Sequence, residues 1–218
     1  MAVRDPLLDK LRTEIARDLR PVRPLRPAWL RALLLLPWSA AGLAVLSLVF
    51  SPRWGVSGLT WIVSGVQIFV AYVLLWTALR EAEPGSGPSA LALAMAGVAA
   101  IGVPLAVYLL IFHVHPRPLP ADREWRVGLE CISVEMALGL PAAAFGLWLA
   151  QRGLPLRPAA AGALVGLAAG MGAVGVWTLF CPFTSAFHVL TSHGGPLLLL
   201  GLIGGALAAA TVFLRRRL

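Results

Sequence analysis

Charge is what this sequence has least of: charged residues fill 13% of its 218 positions and apolar ones 59%. That balance excludes an ordinary soluble domain and makes the chain an integral membrane protein. Lysine occurs once, as Lys10, and the arginines sit at the ends of apolar runs, not in a patch interleaved with aromatics. The net charge of +8 is therefore no nucleic-acid footprint, and no direct nucleic-acid partner is expected. Cysteine occurs only twice, as Cys131 and Cys181, too far apart in sequence for a Cys-x-x-Cys redox motif. Polar groups within the apolar runs are few beyond Glu135 and Gln67, which argues against a transporter. The first 28 residues are charged and the first apolar run exceeds the about 7–15 residues of a signal core, so a retained anchor is expected there and not a cleaved signal peptide.

What is present is a series of six apolar runs, each near the roughly 20 residues that cross a bilayer. They are expected at about 29–50, 59–79, 90–112, 127–150, 158–180 and 194–214. The punctuation is Ser51-Pro52, Pro84 to Pro88, His115 to Pro118, Gly153 to Pro155 and Cys181-Pro182. The fold class is thus an all-α membrane protein, a bundle of six transmembrane helices (29–218) behind a cytosolic arm (1–28). An even number of spans puts both termini on one side. Placing the arm inside leaves only Arg53, Arg117, Arg123 and Arg126 of the 18 basic residues outside, so the positive-inside rule makes both termini cytoplasmic. Trp54, Trp61, Trp125 and Trp177 then belong to an outer aromatic belt, and Trp29, Trp76 and Trp148 to an inner one. Gly162, Gly166 and Gly170 in the fifth run, and Gly201, Gly205 and Ala209 in the sixth, recur every fourth residue and predict close backbone packing. Pro37, Pro104 and Pro141 lie within runs and either kink them or act as hinges.

In the arm, Asp5-Pro6 starts a helix expected to reach Leu19, with Asp5 as N-cap. Leu7, Leu11, Ile15 and Leu19 form one apolar stripe along it. The stripe needs a cover: the membrane surface, the bundle itself or a partner protein, and mixed acid and base argue against lipid alone. Pro21 to Pro27 then make a short stiff link into the first run.

With this orientation every cysteine and histidine falls in the outer half. Cys131 starts the fourth run, Cys181, His188 and His193 follow the fifth, and His113 and His115 follow the third. Thiolates and imidazoles gathered from separate loops have the makings of a site for copper, zinc or cadmium, acting as a signal with no obligatory cofactor. Alternatively the two cysteines form a disulfide on the oxidising side, or all six residues are structural. Glu135, four residues after Cys131, lies deeper on the same helix face. A carboxylate there costs about 3 kcal/mol, so it faces the interior and either pairs, with Gln67 as a candidate partner, or stays protonated. Glu130 is either a hard additional ligand or an interfacial residue. A membrane thiol oxidoreductase would relay electrons between two cysteine pairs, and this chain has one.

The arm from Leu11-Arg12 through Asp18-Leu19-Arg20-Pro21-Val22-Arg23-Pro24-Leu25-Arg26-Pro27 resembles the opening of NrsF-type membrane anti-sigma factors. The likeness continues with Cys131 at the head of the fourth run, the Arg152-Gly153 to Pro158-Ala159 connection, the glycine repeat, Cys181-Pro182, and His193-Gly194 before an Arg-rich end. The resemblance implies a non-enzymatic regulator in the bacterial inner membrane. Such a protein holds an extracytoplasmic-function sigma factor and releases it under heavy-metal or oxidative stress, with Cys131 and Cys181 sensing the signal. In two places the chain departs from the family pattern. Cys181-Pro182 is followed by Phe183-Thr184-Ser185 where an acidic residue is usual, and Thr191-Ser192-His193 replaces a Trp-His phrase.

Overall fold

The computed structural model describes residues 6–18, 25–50, 58–83, 85, 87–114, 120–153 and 155–215, and among them there are helices and no strand. Helix α1 (Pro6–Asp18) is the arm helix. Its expected cap Asp5, and Leu19 at the end of its stripe, lie outside the described residues, as does the Leu7 side chain; Leu11 and Ile15 are exposed.

Among the described residues, six helical segments are long and apolar enough to cross a membrane. The first consists of α2 (Ala28–Ala32) and α3 (Leu35–Val49). The break between them follows from Pro37, which has no N–H for the Leu33 carbonyl and whose ring crowds that carbonyl. Leu33 accepts instead from Leu36 N at 3.1 Å. The others are α4 (Gly58–Glu81), α5 (Ala90–Val114), α6 (Ala121–Gln151), α7 (Pro158–Trp177), and a last unit of α8 (Ala186–His188), a π-helical turn (Val189–Gly194) and α9 (Gly195–Arg215). Helices α5 and α6 run unbroken through Pro104 and Pro141. Two expected starts move outward: the fourth span extends to Ala121, and the last unit to Ala186. The charged stretch after Pro120 is helix-competent, so Cys131 lies nearly three turns into α6 instead of at its head.

Helix α7 is the axis of the bundle. All but two of its residues from Ala161 to Trp177 are buried, and it packs most extensively on α9, then on α4 and α6. The α7–α9 contact explains the glycine repeat. A Cβ at Gly162 would collide with the Gly204 carbonyl, and one at Gly166 with the Leu200 carbonyl, so the two backbones touch where no side chain intervenes. The partner face on α9 differs slightly from the expected one: Ala208 meets Gly162, whereas Ala209 is exposed, because the contact runs through Gly204 as well as Gly201 and Gly205. Gly166→Ala is therefore expected to destabilise the bundle by about 1–3 kcal/mol through overpacking. Gly97→Ala in α5, where a Cβ meets nothing, is expected to be neutral or mildly stabilising. Thermal unfolding midpoints in detergent compare the two.

Opposite charges meet at one end of the bundle. Arg31 is buried; it forms an ion pair with Glu83 at 2.6 Å and donates to the carbonyls of Arg26, Leu149 and Leu79 at 2.9, 3.3 and 3.5 Å. Leu79 and Leu149 stand in the last turns of α4 and α6, whose carbonyls have no partner within their own helix. One guanidinium thus satisfies the ends of two spans and joins both to the first. Beside it the buried Glu81 carboxylate lies 3.6 Å from Arg157 Nε. Arg152 lies over Trp148 and Arg80 over Trp76, as expected of an interfacial aromatic belt. Trp61, Trp125 and Trp29 are exposed as belt residues should be, and Trp54 lies outside the described residues. Trp177 is different: it is buried between Phe50, edge-on at 5.1 Å, and Phe180, stacked at 5.8 Å, and so is a core residue, not part of the outer belt.

Candidate functional site

The site lies at the other end of α6 and is built from three stretches of chain. Cys131 enters from α6, fully covered by neighbours that include Trp177 and Phe180. Close approach of α6 to the π-helical turn depends on Gly128, where a Cβ would come within 2.9 Å of Ser192 Oγ. Cys181 enters from the connection after α7. That helix unwinds over Thr178–Phe180, with Phe180 and Cys181 both donating to the Trp177 carbonyl, and Pro182 cannot continue it. The connection is secured by Ser185, whose hydroxyl caps α8 by accepting from His188 N at 3.3 Å and donates to Glu124 at 3.1 Å.

His188 and His193 arrive from the last unit. On an α-helix, residues five apart point about 140° away from each other. The wider π-helical turn between them brings both rings onto one face, centroids 5.1 Å apart. Pro196 accounts for the widening, since its ring displaces the Ser192 carbonyl and it has no N–H to offer it.

These elements bring four candidate residues together. The Cys131 and Cys181 sulfurs are 3.7 Å apart and share one hydrogen bond. His188 Nε2 stands 3.6 Å from Cys131 Sγ and 3.3 Å from Cys181 Sγ. One donor atom each from Cys131, Cys181, His188 and His193 can be chosen so that all lie within 4.8 Å of one another. Both cysteines are free thiols, Cys131 buried and Cys181 half-buried. Sharing a proton with Cys131, and then burial, push the Cys181 thiol well above its usual range, so Cys181 is a neutral thiol near neutral pH. Two thiols and two imidazoles in this arrangement suit a soft or borderline cation, or, for the sulfurs alone, a disulfide.

The other candidates fall elsewhere. Glu130 is exposed and is not one of the four. The His113 side chain and the whole of His115 lie outside the described residues. Glu135 is buried and paired, but not with Gln67: its Oε1 meets His193 Nδ1, while Gln67 accepts from the Thr178 hydroxyl at 3.0 Å. Gln67 lies on α4, whose partner is α7, and the face of α6 that carries Cys131 and Glu135 looks toward the π-helical turn. The Glu135–His193 pair and the Arg31 cluster are the features that sequence reasoning missed. Arg31 did carry a signal: it sits inside an apolar run, and Glu81 and Glu83 close the next one.

No curated protein and no solved structure matches this chain. The family model described as negative regulator of sigma F matches residues 15–215, a stretch that holds all six spans, Cys131, Cys181, His188 and His193. By that match this six-span chain belongs to the family of negative regulators of sigma F, and its role is that of an anti-sigma factor whose partner is a sigma factor.

Proposed function

We propose that the protein resides in the bacterial inner membrane, holds an extracytoplasmic-function sigma factor at its cytosolic side, and releases it when Cys131 and Cys181 meet a heavy-metal ion such as copper, zinc or cadmium. The observation that carries this reading is the meeting of Cys131, Cys181 and His188 within 3.7 Å at one end of α6. The Arg31 cluster engages Leu149, eighteen residues further along the same helix, which is about 27 Å at 1.5 Å per residue. By the positive-inside rule the arginine-rich end and the arm are cytosolic, which turns the thiols outward. The exposed Leu11 and Ile15, with Leu7 and Leu19 completing the stripe in sequence, offer the sigma factor a helix-in-groove contact. In this reading the protein acts by binding and not by catalysis. An ion biases the cytosolic surface only as far as it binds one packing of α6 against α7 and the π-helical turn more tightly than the other.

Oxidation is a second reading, favoured by the sulfur separation. Disulfide formation would release two protons and pass two electrons to an oxidant such as a peroxide or a quinone. Co-purification of the sigma factor with the intact, detergent-solubilised protein tests the whole reading. Cadmium or copper is expected to deplete the bound sigma factor at least tenfold, and removal of residues 1–20 to deplete it without metal. Unchanged recovery in both cases would reject the clamp and the trigger together.

A further inference from the structure

We infer that Cys131, Cys181, His188 and His193 form one tetrahedral site for a single divalent ion of the zinc and cadmium class, with Glu135 as its positioning residue acting through His193. The inference rests on the metal-sensing reading above and specifies its ion and its ligands.

The distances carry the first half. With zinc–sulfur bonds of about 2.3 Å and zinc–nitrogen bonds of about 2.0–2.1 Å, two sulfurs on a tetrahedron lie about 3.8 Å apart, and a sulfur and a nitrogen about 3.6 Å apart. The chain holds its sulfurs at 3.7 Å and its sulfur–nitrogen pairs at 3.6 and 3.3 Å. The fourth donor is no more than 4.8 Å from the others, so closing the set needs side-chain adjustment and no rearrangement of helices. Two thiolates with two imidazoles in this shape select a d10 divalent ion. Oxygen-seeking magnesium and calcium lack their ligands here, and copper(II) prefers a tetragonal arrangement. Coordination forms two metal–sulfur bonds and expels to solvent the proton that the sulfur pair shares, with no change of oxidation state.

The buried carboxylate carries the second half. Glu135 is 1% exposed, one helical turn beyond Cys131, with Oε1 on His193 Nδ1 and no partner for Oε2. With Nδ1 held against Glu135 Oε1, Nε2 is the ring atom of His193 left to ligate. Carboxylates placed in this way behind a metal-bound imidazole fix its tautomer and ring orientation. The π-helical turn fixes the other coordinate by presenting His193 on the face of His188. This division of labour assigns a purpose to a carboxylate that a membrane interior otherwise disfavours.

The test uses the purified full-length chain in detergent micelles with reduced thiols and no sigma factor, titrated with Co2+ as a spectroscopic probe. One Co2+ per chain is expected, with thiolate-to-cobalt charge transfer and the intense visible bands of tetrahedral cobalt, both displaced by Zn2+ and Cd2+. Glu135→Gln should keep the stoichiometry and the tetrahedral spectrum while weakening Zn2+ binding about 10–100-fold. His193→Ala should change the visible bands themselves. Unfolding midpoints of the metal-free variants distinguish lost ligation from lost folding. Binding indifferent to His188→Ala and His193→Ala, a weak octahedral spectrum, or wild-type affinity in folded Glu135→Gln would overturn the assignment. Tetrahedral binding without sigma-factor release in the pull-down would instead count against metal as the trigger and leave the site standing.

Discussion

The double substitution Cys131→Ser, Cys181→Ser is expected to abolish cadmium-induced transcription from a sigma-dependent promoter while uninduced transcription stays low. Moving a two-state equilibrium from about 1:99 to about 99:1 requires a ligand to bind one state about 10,000-fold more tightly than the other. A cluster that keeps only His188 and His193 has lost both soft ligands and cannot supply that difference. The substitution leaves the holding state intact because serine is close in volume to cysteine and the α7–α9 glycine contact does not involve either sulfur. His188→Ala should blunt the response less than the double change, since one neutral ligand is lost and both thiolates remain. A reporter dose series with immunoblots for protein level makes the measurement, and a parental dose response in the double variant would remove the cysteines from the mechanism.

Much of this architecture is legible in the amino acids because a bilayer enforces simple rules. Spans must be about 20 residues and apolar, and charges collect at their ends, which is why each of the six runs coincides with a membrane-length helix, although the fourth and the last start well before their apolar runs do. Gly162, Gly166 and Gly170 announce a close contact for the same reason: with lipid on every side, backbone approach is what packing has to offer. The meeting of Cys131 with Cys181 follows once sidedness is assigned, since only one rim is available to both. The pairings are not legible, because they depend on helix rotation. Glu135 faces His193 and not Gln67 owing to a π-helical turn that no local periodicity announces, and Trp177 turns inward onto Phe50 and Phe180 where an interfacial tryptophan would turn out. Arg31 shows the same gap, for a basic residue near the end of an apolar run is assigned to the interface unless the acid that draws it inward is known.

Arg31→Met is expected to be the most destabilising single change at the arginine end, by about 3–5 kcal/mol. The loss has two parts. Glu83 loses the guanidinium held 2.6 Å from it, and the carbonyls of Leu79 and Leu149 lose a donor inside a packed, water-poor bundle where nothing in the side chain of methionine replaces it. Pairing it with Glu83→Gln should recover part of the loss, and a double-mutant cycle on unfolding midpoints separates the ion pair from the carbonyl contacts. If the pair accounted for the whole effect, the double variant would regain parental stability; the expected shortfall is the contribution of the two helix ends. The same residue also ties the chain that leaves the arm, through the Arg26 carbonyl, to the far end of the helix that carries Cys131 and Glu135. Arg31→Met should therefore retain metal affinity within about twofold, because the ligands are about 27 Å away along α6, while metal-driven release of the sigma factor weakens. Loss of metal binding in a folded Arg31→Met variant would show that the two ends of α6 are not the independent units this prediction requires.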